Sequence, residues 1–328
     1  MAGKPGLLLK LFALFCIAVG IALVVATWLF FKRPLMLDAW FSRFALTAAG
    51  LQDHHVDGPT GRLTWFEGGS GETTLVLLHG AGDQAGTWAR TITPLVERYR
   101  VVVPDLAGHG KTDPREGPIG VDQVLAAAGA TLDACCSDEP VVLVGNSLGG
   151  WIAFLLALER PDHVVRIVAV NGGPLRQENP TVNLFPTNRE EARETMEALM
   201  GSSVDQIPGT VLDDIARHSQ TGPAARLAQT ADAMEPFLLE GRLHEVTTPV
   251  DIIWGESDEL LPLDYAQRMF AGLPAVRLAT IADCGHVPHR ECPTLLVEKI
   301  LGALRADPPQ AVAPEAESDT PETEEVPS

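Results

Sequence analysis

The chain has 328 residues, 46% of them hydrophobic and 20% charged, with 30 glycines and 25 prolines spread along it, which excludes a disordered chain, a collagen and a disulfide scaffold. That length accommodates one large α/β unit with appendages. A formal net charge of -19, from 43 acidic and 24 basic residues, argues against a basic face that grips nucleic-acid phosphates, so no nucleic-acid partner is expected.

From residue 11 to residue 31 only Gly20 and Thr27 interrupt an apolar run without charge. At about 1.5 Å per residue such a helix spans a hydrocarbon core of about 30 Å, which predicts a membrane anchor over residues 1–34. A cleaved signal peptide is the alternative, because Val24, Val25 and Ala26 resemble a small-residue cleavage site. Lys4 and Lys10 before the run face Lys32, Arg33 and Arg43 after it, so charge assigns no orientation. Residues 35–60 read as a juxtamembrane linker. Within it, residues 35–49 are either an amphipathic segment at the membrane surface, with Trp40 and Phe41 at headgroup level, or a helix packed on the following domain.

Residues 63–67 resemble an antiparallel entry strand. Runs at 74–79, 100–104, 141–144, 164–170 and 250–254 are rich in Val, Ile and Leu and bounded by Gly, Pro or Asp, the pattern of strands buried on both faces. Helical segments near 88–98, 121–134, 149–159, 264–271 and 294–303 alternate with them. This alternation predicts an α/β fold: a mostly parallel sheet flanked by helices. Residues 175–246 break the rhythm with several amphipathic patterns and read as a helical cap inserted over the carboxyl ends of the strands. Phe185, Leu199, Met200, Met234, Phe237 and Leu238 are its candidate pocket-facing residues. Residues 306–328, rich in Pro, Ala and acidic side chains, read as a disordered acidic tail, which leaves 61–305 as the main domain.

The chemistry concentrates at three places. The strand ending in Val144 runs into Gly145-Asn146-Ser147-Leu148-Gly149 and then a helix, so the glycines permit a tight turn that lifts the Ser147 hydroxyl above the sheet. A serine needs a base within reach and an acid to orient that base. Asp258 follows the strand at 250–254, and His286 lies on a loop after a further strand. Asp251 and Glu256 compete for the acid's place, but one lies within the strand and the other early in the turn. His289 competes with His286, while His79 and His109 sit in turn motifs and read as loop supports. Arg166, Arg189 and Arg226 are candidate anion binders whose simpler reading is surface or cap pairing. Five cysteines carry no metal-binding spacing. They read as inert thiols, the alternative being a Cys284–Cys292 disulfide.

With His79-Gly80-Ala81-Gly82, the turn from Pro104 to Thr112, the Gly255–Asp258 loop and Gly285-His286, these motifs resemble α/β-hydrolase-fold enzymes over roughly residues 61–304. The anchored N-terminus, HGAG loop and GNSLGG turn are most similar to bacterial membrane-anchored monoacylglycerol lipase or esterase-like members. This resemblance implies a serine hydrolase with catalytic Ser147, Asp258 and His286. It implies an oxyanion hole from the backbone N–H groups of Ala81 and Leu148, small-molecule or lipid esters as substrates, and no metal or organic cofactor. Carbon–carbon bond hydrolases, thioesterases and acyltransferases share the motifs. A non-catalytic binding protein on the same fold is the reading from a different class.

Overall fold

The computed structural model describes residues 5–137, 139–178 and 181–311. In chain order the helices are α1 (Pro5–Lys32), α2 (Pro34–Ala48), α3 (Ile92–Val96), α4 (Val121–Cys136), α5 (Leu148–Glu159), α6 (Arg189–Met200), α7 (Gly209–Ser219), α8 (Pro223–Ala228), α9 (Leu263–Gly272), α10 (Pro288–Glu291) and α11 (Pro293–Arg305). The strands are β1 (Gln52–Gly58), β2 (Gly61–Gly68), β3 (Thr74–Leu78), β4 (Arg100–Pro104), β5 (Val141–Asn146), β6 (Val164–Val170), β7 (Val250–Gly255) and β8 (Val276–Ile281).

The strands form one sheet in the order β1-β2-β4-β3-β5-β6-β7-β8. β2 runs antiparallel to both β1 and β4, and the pairings from β4 through β8 are parallel. Every central strand alternates between two cores because successive side chains point to opposite faces. Val76, Leu78, Val102, Leu143, Ile167 and Ile252 pack on one face with α4, α5 and α9. Leu75, Leu77, Val101, Val144, Val168 and Ile253 pack on the other with α2, α3 and α11. Burial on both faces is why these strands appear in the sequence as mostly apolar runs.

The segment read as a linker is built into this architecture. Pro34 opens α2 immediately after α1, and α2 docks on the sheet through Leu46 while β1 adds an edge strand. Its opposite face leaves Met36, Trp40, Phe41 and Phe44 exposed. Of the two readings of residues 35–49, the helix packed on the following domain is the one the Leu46 contact shows. The stretch Leu9–Lys32 is long and apolar enough to cross a membrane, and none of it is buried in the protein.

Between β6 and β7 lies the helical insertion. Asn188 caps α6 by accepting from the Glu190 and Glu191 amides, and α6 and α7 share a small core of Ala192, Leu212 and Ala216. Phe185, Leu199, Met200, Met234, Phe237 and Leu238 are all half-buried. Of the segment read as a disordered tail, residues 312–328 lie outside the described residues. Its first residue is tied to the fold, the Ala306 carbonyl accepting from Arg166 at 3.1 Å.

The three candidate anion binders serve other ends. Arg166 is buried against Asp251, Arg189 pairs with Asp213 within the insertion, and Arg226 donates to the carbonyls of Gly108, Pro114 and Gly117. Contrary to the reading of inert thiols, Cys284 and Cys292 form a disulfide with Cα atoms 6.4 Å apart. It closes the loop that carries His286, and Cys16, Cys135 and Cys136 are free.

Candidate active site

Ser147 sits between β5 and α5 at φ 53° and ψ -119°, a conformation that L-residues adopt only when the surroundings enforce it. The enforcement is steric and local. A side chain at Gly145 would overlap the Gly149 carbonyl, one at Gly149 would overlap the Leu78 carbonyl, and one at Gly172 would overlap the Ser147 backbone. The Ser147 amide donates to the Val170 carbonyl at 3.2 Å, which ties the turn to the end of β6. Ser147 itself is half-buried among fully buried neighbours.

Asp258 and His286 come together beside this turn. Nδ1 of His286 lies 2.7 Å from Oδ2 of Asp258, and both residues are only 3% exposed, so little water competes for the bond. The same Oδ2 accepts from Asn171 Nδ2 at 2.7 Å, while Oδ1 accepts from the Leu260 and Leu261 amides at 2.9 Å each. Every partner is a donor, so the site is built for a carboxylate and fixes the proton of His286 on Nδ1. Nε2 is left as the acceptor. Glu256 is exposed and Asp251 is paired with Arg166 and Arg277, so neither is the acid that meets His286.

Backbone supports hold the imidazole from several sides. The His286 amide donates to the Leu199 carbonyl at the end of α6 at 2.7 Å, and its carbonyl accepts from Asn146 Nδ2 at 2.9 Å. Glu291 accepts from the Gly285 and Val287 amides at 3.0 and 3.2 Å, bracketing His286 in the chain. Sequence reasoning missed Asn146, Asn171 and Glu291. Asn171 carries a signal, a polar residue ending a buried strand at φ 44°, a left-handed geometry that Asn tolerates.

Ala81 lies on the turn after β3, and Leu148 is the first residue of α5. Among the described residues, neither backbone N–H donates to another group. A Cβ placed on Gly80 would lie 3.2 Å from Ser147 Cβ, so the turn runs against the serine. The insertion closes over the same ends of the strands. Leu199 meets the His286 loop, Ala224 of α8 faces Gly82, and the Phe237 carbonyl accepts from Trp151 Nε1 at 2.8 Å.

His79 and His109 act as loop supports. His79 Nε2 accepts from the Leu106 amide and His109 Nε2 from the Gly82 amide, each at 3.0 Å. His289 packs against Trp88, with ring centres 4.9 Å apart, at the edge of the Asp83 carboxylate. Burial pushes all three imidazoles below the ordinary value of 6.5, and for His109 burial and the neighbouring His79 bring it down to about 3. Unfolded, each regains its ordinary affinity for a proton, so below pH 6.5 the unfolded chain binds more protons than the folded one. The contribution of these three groups to stability is then level above pH 6.5 and falls as pH drops below it. Urea midpoints at pH 7.5, 6 and 5 should fall in that order, and a flat series would contradict the neutral assignment.

A profile of the alpha/beta hydrolase family matches residues 75–299. A 2-hydroxy-6-oxononadienedioate/2-hydroxy-6-oxononatrienedioate hydrolase from Cupriavidus pinatubonensis is 31% identical over 257 residues, 70% of this chain and 86% of that protein. Among solved structures, a membrane phospholipase A is 26% identical, with a TM-score of 0.68 over 89% of this chain and 99% of that one. A thermophilic esterase from Thermogutta terrifontis, 21% identical, has a TM-score of 0.63 over 77% of this chain and 98% of its own, a likeness of fold. With its sheet order, its strained serine turn and the extent of the family match, this chain belongs to the alpha/beta hydrolase family.

Proposed function

We propose that the protein is a membrane-anchored serine hydrolase that cleaves carboxylic esters, lipid esters among them, through an acyl-enzyme on Ser147. The observation that carries this reading is the Asp258–His286 bond, which leaves Nε2 as the accepting atom on a loop that Asn146 ties to the strained serine turn. His286 takes the Ser147 proton as the hydroxyl attacks the carbonyl, and Asp258 stabilises the imidazolium that forms. The N–H groups of Ala81 and Leu148 receive the developing oxyanion, each contributing roughly 10²- to 10³-fold. His286 then protonates the leaving alcohol, and water activated by the same base releases the acid.

Carbon–carbon bond cleavage is the second reading, favoured by the dienedioate hydrolase relatives. A dioate carries two carboxylates, and a buried site recognises such a group with cations that have no other partner. In the insertion the arginines are already engaged: Arg176 with Glu235, Arg189 with Asp213, Arg193 with Asp205, Arg217 with Asp214, Arg242 with Glu245, and Arg226 with backbone carbonyls. This supports a neutral ester over a dianion.

Membrane anchoring is supported by the unburied apolar face of α1 and by the exposed aromatic residues of α2. The match to the membrane phospholipase covers more of this chain than the residues after Leu51 can supply, so it takes in at least part of α2. The Cys284–Cys292 disulfide supports placing the catalytic domain on the oxidising side of that membrane, away from reduced cytosol. The function is tested by giving the full chain in detergent a monoacylglycerol series, p-nitrophenyl esters and a 2-hydroxy-6-oxo-dienedioate. The expected result is ester turnover with kcat/KM at least tenfold above that for the dienedioate; the reverse preference would establish the second reading.

A further inference from the structure

The turn that carries Ala81 has little apolar packing of its own. Ala81 and Gly82 are exposed, and Asp83 and Gln84 are polar, so hydrogen bonds must hold the turn in shape. Several of them come from α2, which precedes the family match at residues 75–299. Arg43 Nη1 donates to both Asp105 oxygens, at 3.0 and 2.8 Å, and lies 3.2 Å from Gln84 Oε1. Gln84 Nε2 donates to Ser42 Oγ at 3.1 Å, and Gln84 Oε1 also accepts from the Gly86 amide at 2.8 Å. Both ends of the Gln84 amide are thus committed, one to Ser42 and the other shared between Arg43 and the turn itself.

Asp105 is the post beneath the turn. Its carboxylate accepts from the Ala85 and Lys111 amides at 2.8 Å each and from Thr64 Oγ1 at 3.0 Å, with its side chain 1% exposed. Burial alone would push this carboxyl up; the Arg43 guanidinium, with the amide donors, more than reverses that and holds it below its ordinary value. Among the described residues Arg43 is its ion-pair partner. Arg43 is held in turn by the Phe66 ring, 4.8 Å below its guanidinium. A second tie runs from the same helix, Asp38 to Arg290 at 3.3 Å and Arg290 to Asp83 at 3.1 Å.

We infer that Arg43 is a positioning residue for the oxyanion hole: through it, helix α2 clamps Gln84 and Asp105 so that the Ala81 N–H stays aimed beside Ser147. The inference rests on the serine-hydrolase reading of the site. Removing Arg43 strands a buried carboxylate that also holds the Ala85 amide, so the turn must shift to rehydrate or protonate it. A donor displaced by a fraction of an ångström acts on the tetrahedral state and leaves ground-state binding nearly unchanged.

The test uses the full chain in detergent with Arg43→Ala, Arg43→Lys, Gln84→Ala and, as a stability control, Leu132→Ala in α4, which opens the core on the other face of the sheet away from α2. For each variant kcat, KM and the Ki of an alkylboronic acid, whose tetrahedral adduct on Ser147 fills the hole, are measured at a temperature where the protein is folded. Arg43→Ala should lower kcat by about 10- to 100-fold and raise the boronate Ki in parallel, with KM within about threefold. Arg43→Lys should recover part of the loss, and Leu132→Ala should lower Tm with kcat within about threefold. If Arg43→Ala does not fold, Gln84→Ala carries the test, with a loss of about fivefold or more in kcat and in boronate affinity.

Unchanged boronate affinity in Arg43→Ala, or in Gln84→Ala where that variant carries the test, would overturn the inference, as would equal loss in Leu132→Ala. In either case Ser147-dependent turnover in the wild type would leave the serine-hydrolase reading standing. Absence of that turnover would overturn both.

Discussion

Ser147→Ala should lower kcat by about a millionfold while leaving the fold intact. The size follows from how the site divides its work. Once the hydroxyl is gone, no group can form the acyl-enzyme, and the His286–Asp258 pair has no proton to take. What remains is the pair of free amides at Ala81 and Leu148, which still polarise a bound carbonyl, so a residual rate above that in water should survive. The structural cost is small because the strain belongs to the backbone. The φ of 53° is imposed by the close approaches at Gly145, Gly149 and Gly172, and alanine meets the same walls. A Tm within a few degrees of wild type, together with lost turnover, is the expected pair of results by calorimetry and assay. Turnover retained in the variant would move the nucleophile elsewhere.

Asp258→Asn should cost about 10⁴-fold in kcat, with about 1–3 kcal/mol of stability lost to a stranded buried donor. All four groups that face this carboxylate are donors: His286 Nδ1, Asn171 Nδ2 and the amides of Leu260 and Leu261. An amide side chain offers one acceptor atom where two are used. If its oxygen keeps the two backbone amides, its NH₂ faces His286 and forces the ring proton onto Nε2, the atom that must accept from Ser147. If it turns the other way, two backbone donors lose their partner. Steady-state kinetics at neutral pH would read the loss, with KM little changed. A loss under tenfold would mean that Asp258 is not what orients the base.

Much of the central sheet was legible in the sequence for a simple reason. Parallel strands covered on both faces leave few polar positions, so 74–79 and 164–170 stand out as mostly apolar runs despite Arg166, and β3 and β6 fall within them. The serine turn was legible because its sterics admit almost nothing but glycine at three positions, and one of these, Gly172, escaped notice because it acts from the next strand over. β1 was not legible. Its sequence, Gln52-Asp-His-His-Val-Asp-Gly58, lies on an open sheet edge with most side chains exposed, so only backbone pairing makes it a strand.

Other losses come from distance along the chain. Arg43 meets Asp105 across 62 residues, and Arg290 meets Asp83 across 207, pairings that no local pattern encodes. The disulfide is a similar case. Five cysteines give no connectivity by counting, and the bond between Cys284 and Cys292 exists because the His286 loop brings the start of α11 back toward the end of β8.

The central claim is that hydrolysis proceeds through an acyl-enzyme on Ser147. Its most direct test is rapid mixing of the full chain with a p-nitrophenyl ester, followed by acid quench and peptide mass spectrometry. The account predicts a burst of nitrophenolate of about one equivalent per active site, and an acyl mass on the peptide containing Ser147 that decays with turnover. Steady ester cleavage with no burst would leave the acyl mass to decide. If turnover proceeds while Ser147 stays unmodified throughout, or the adduct sits on another residue, the account is contradicted.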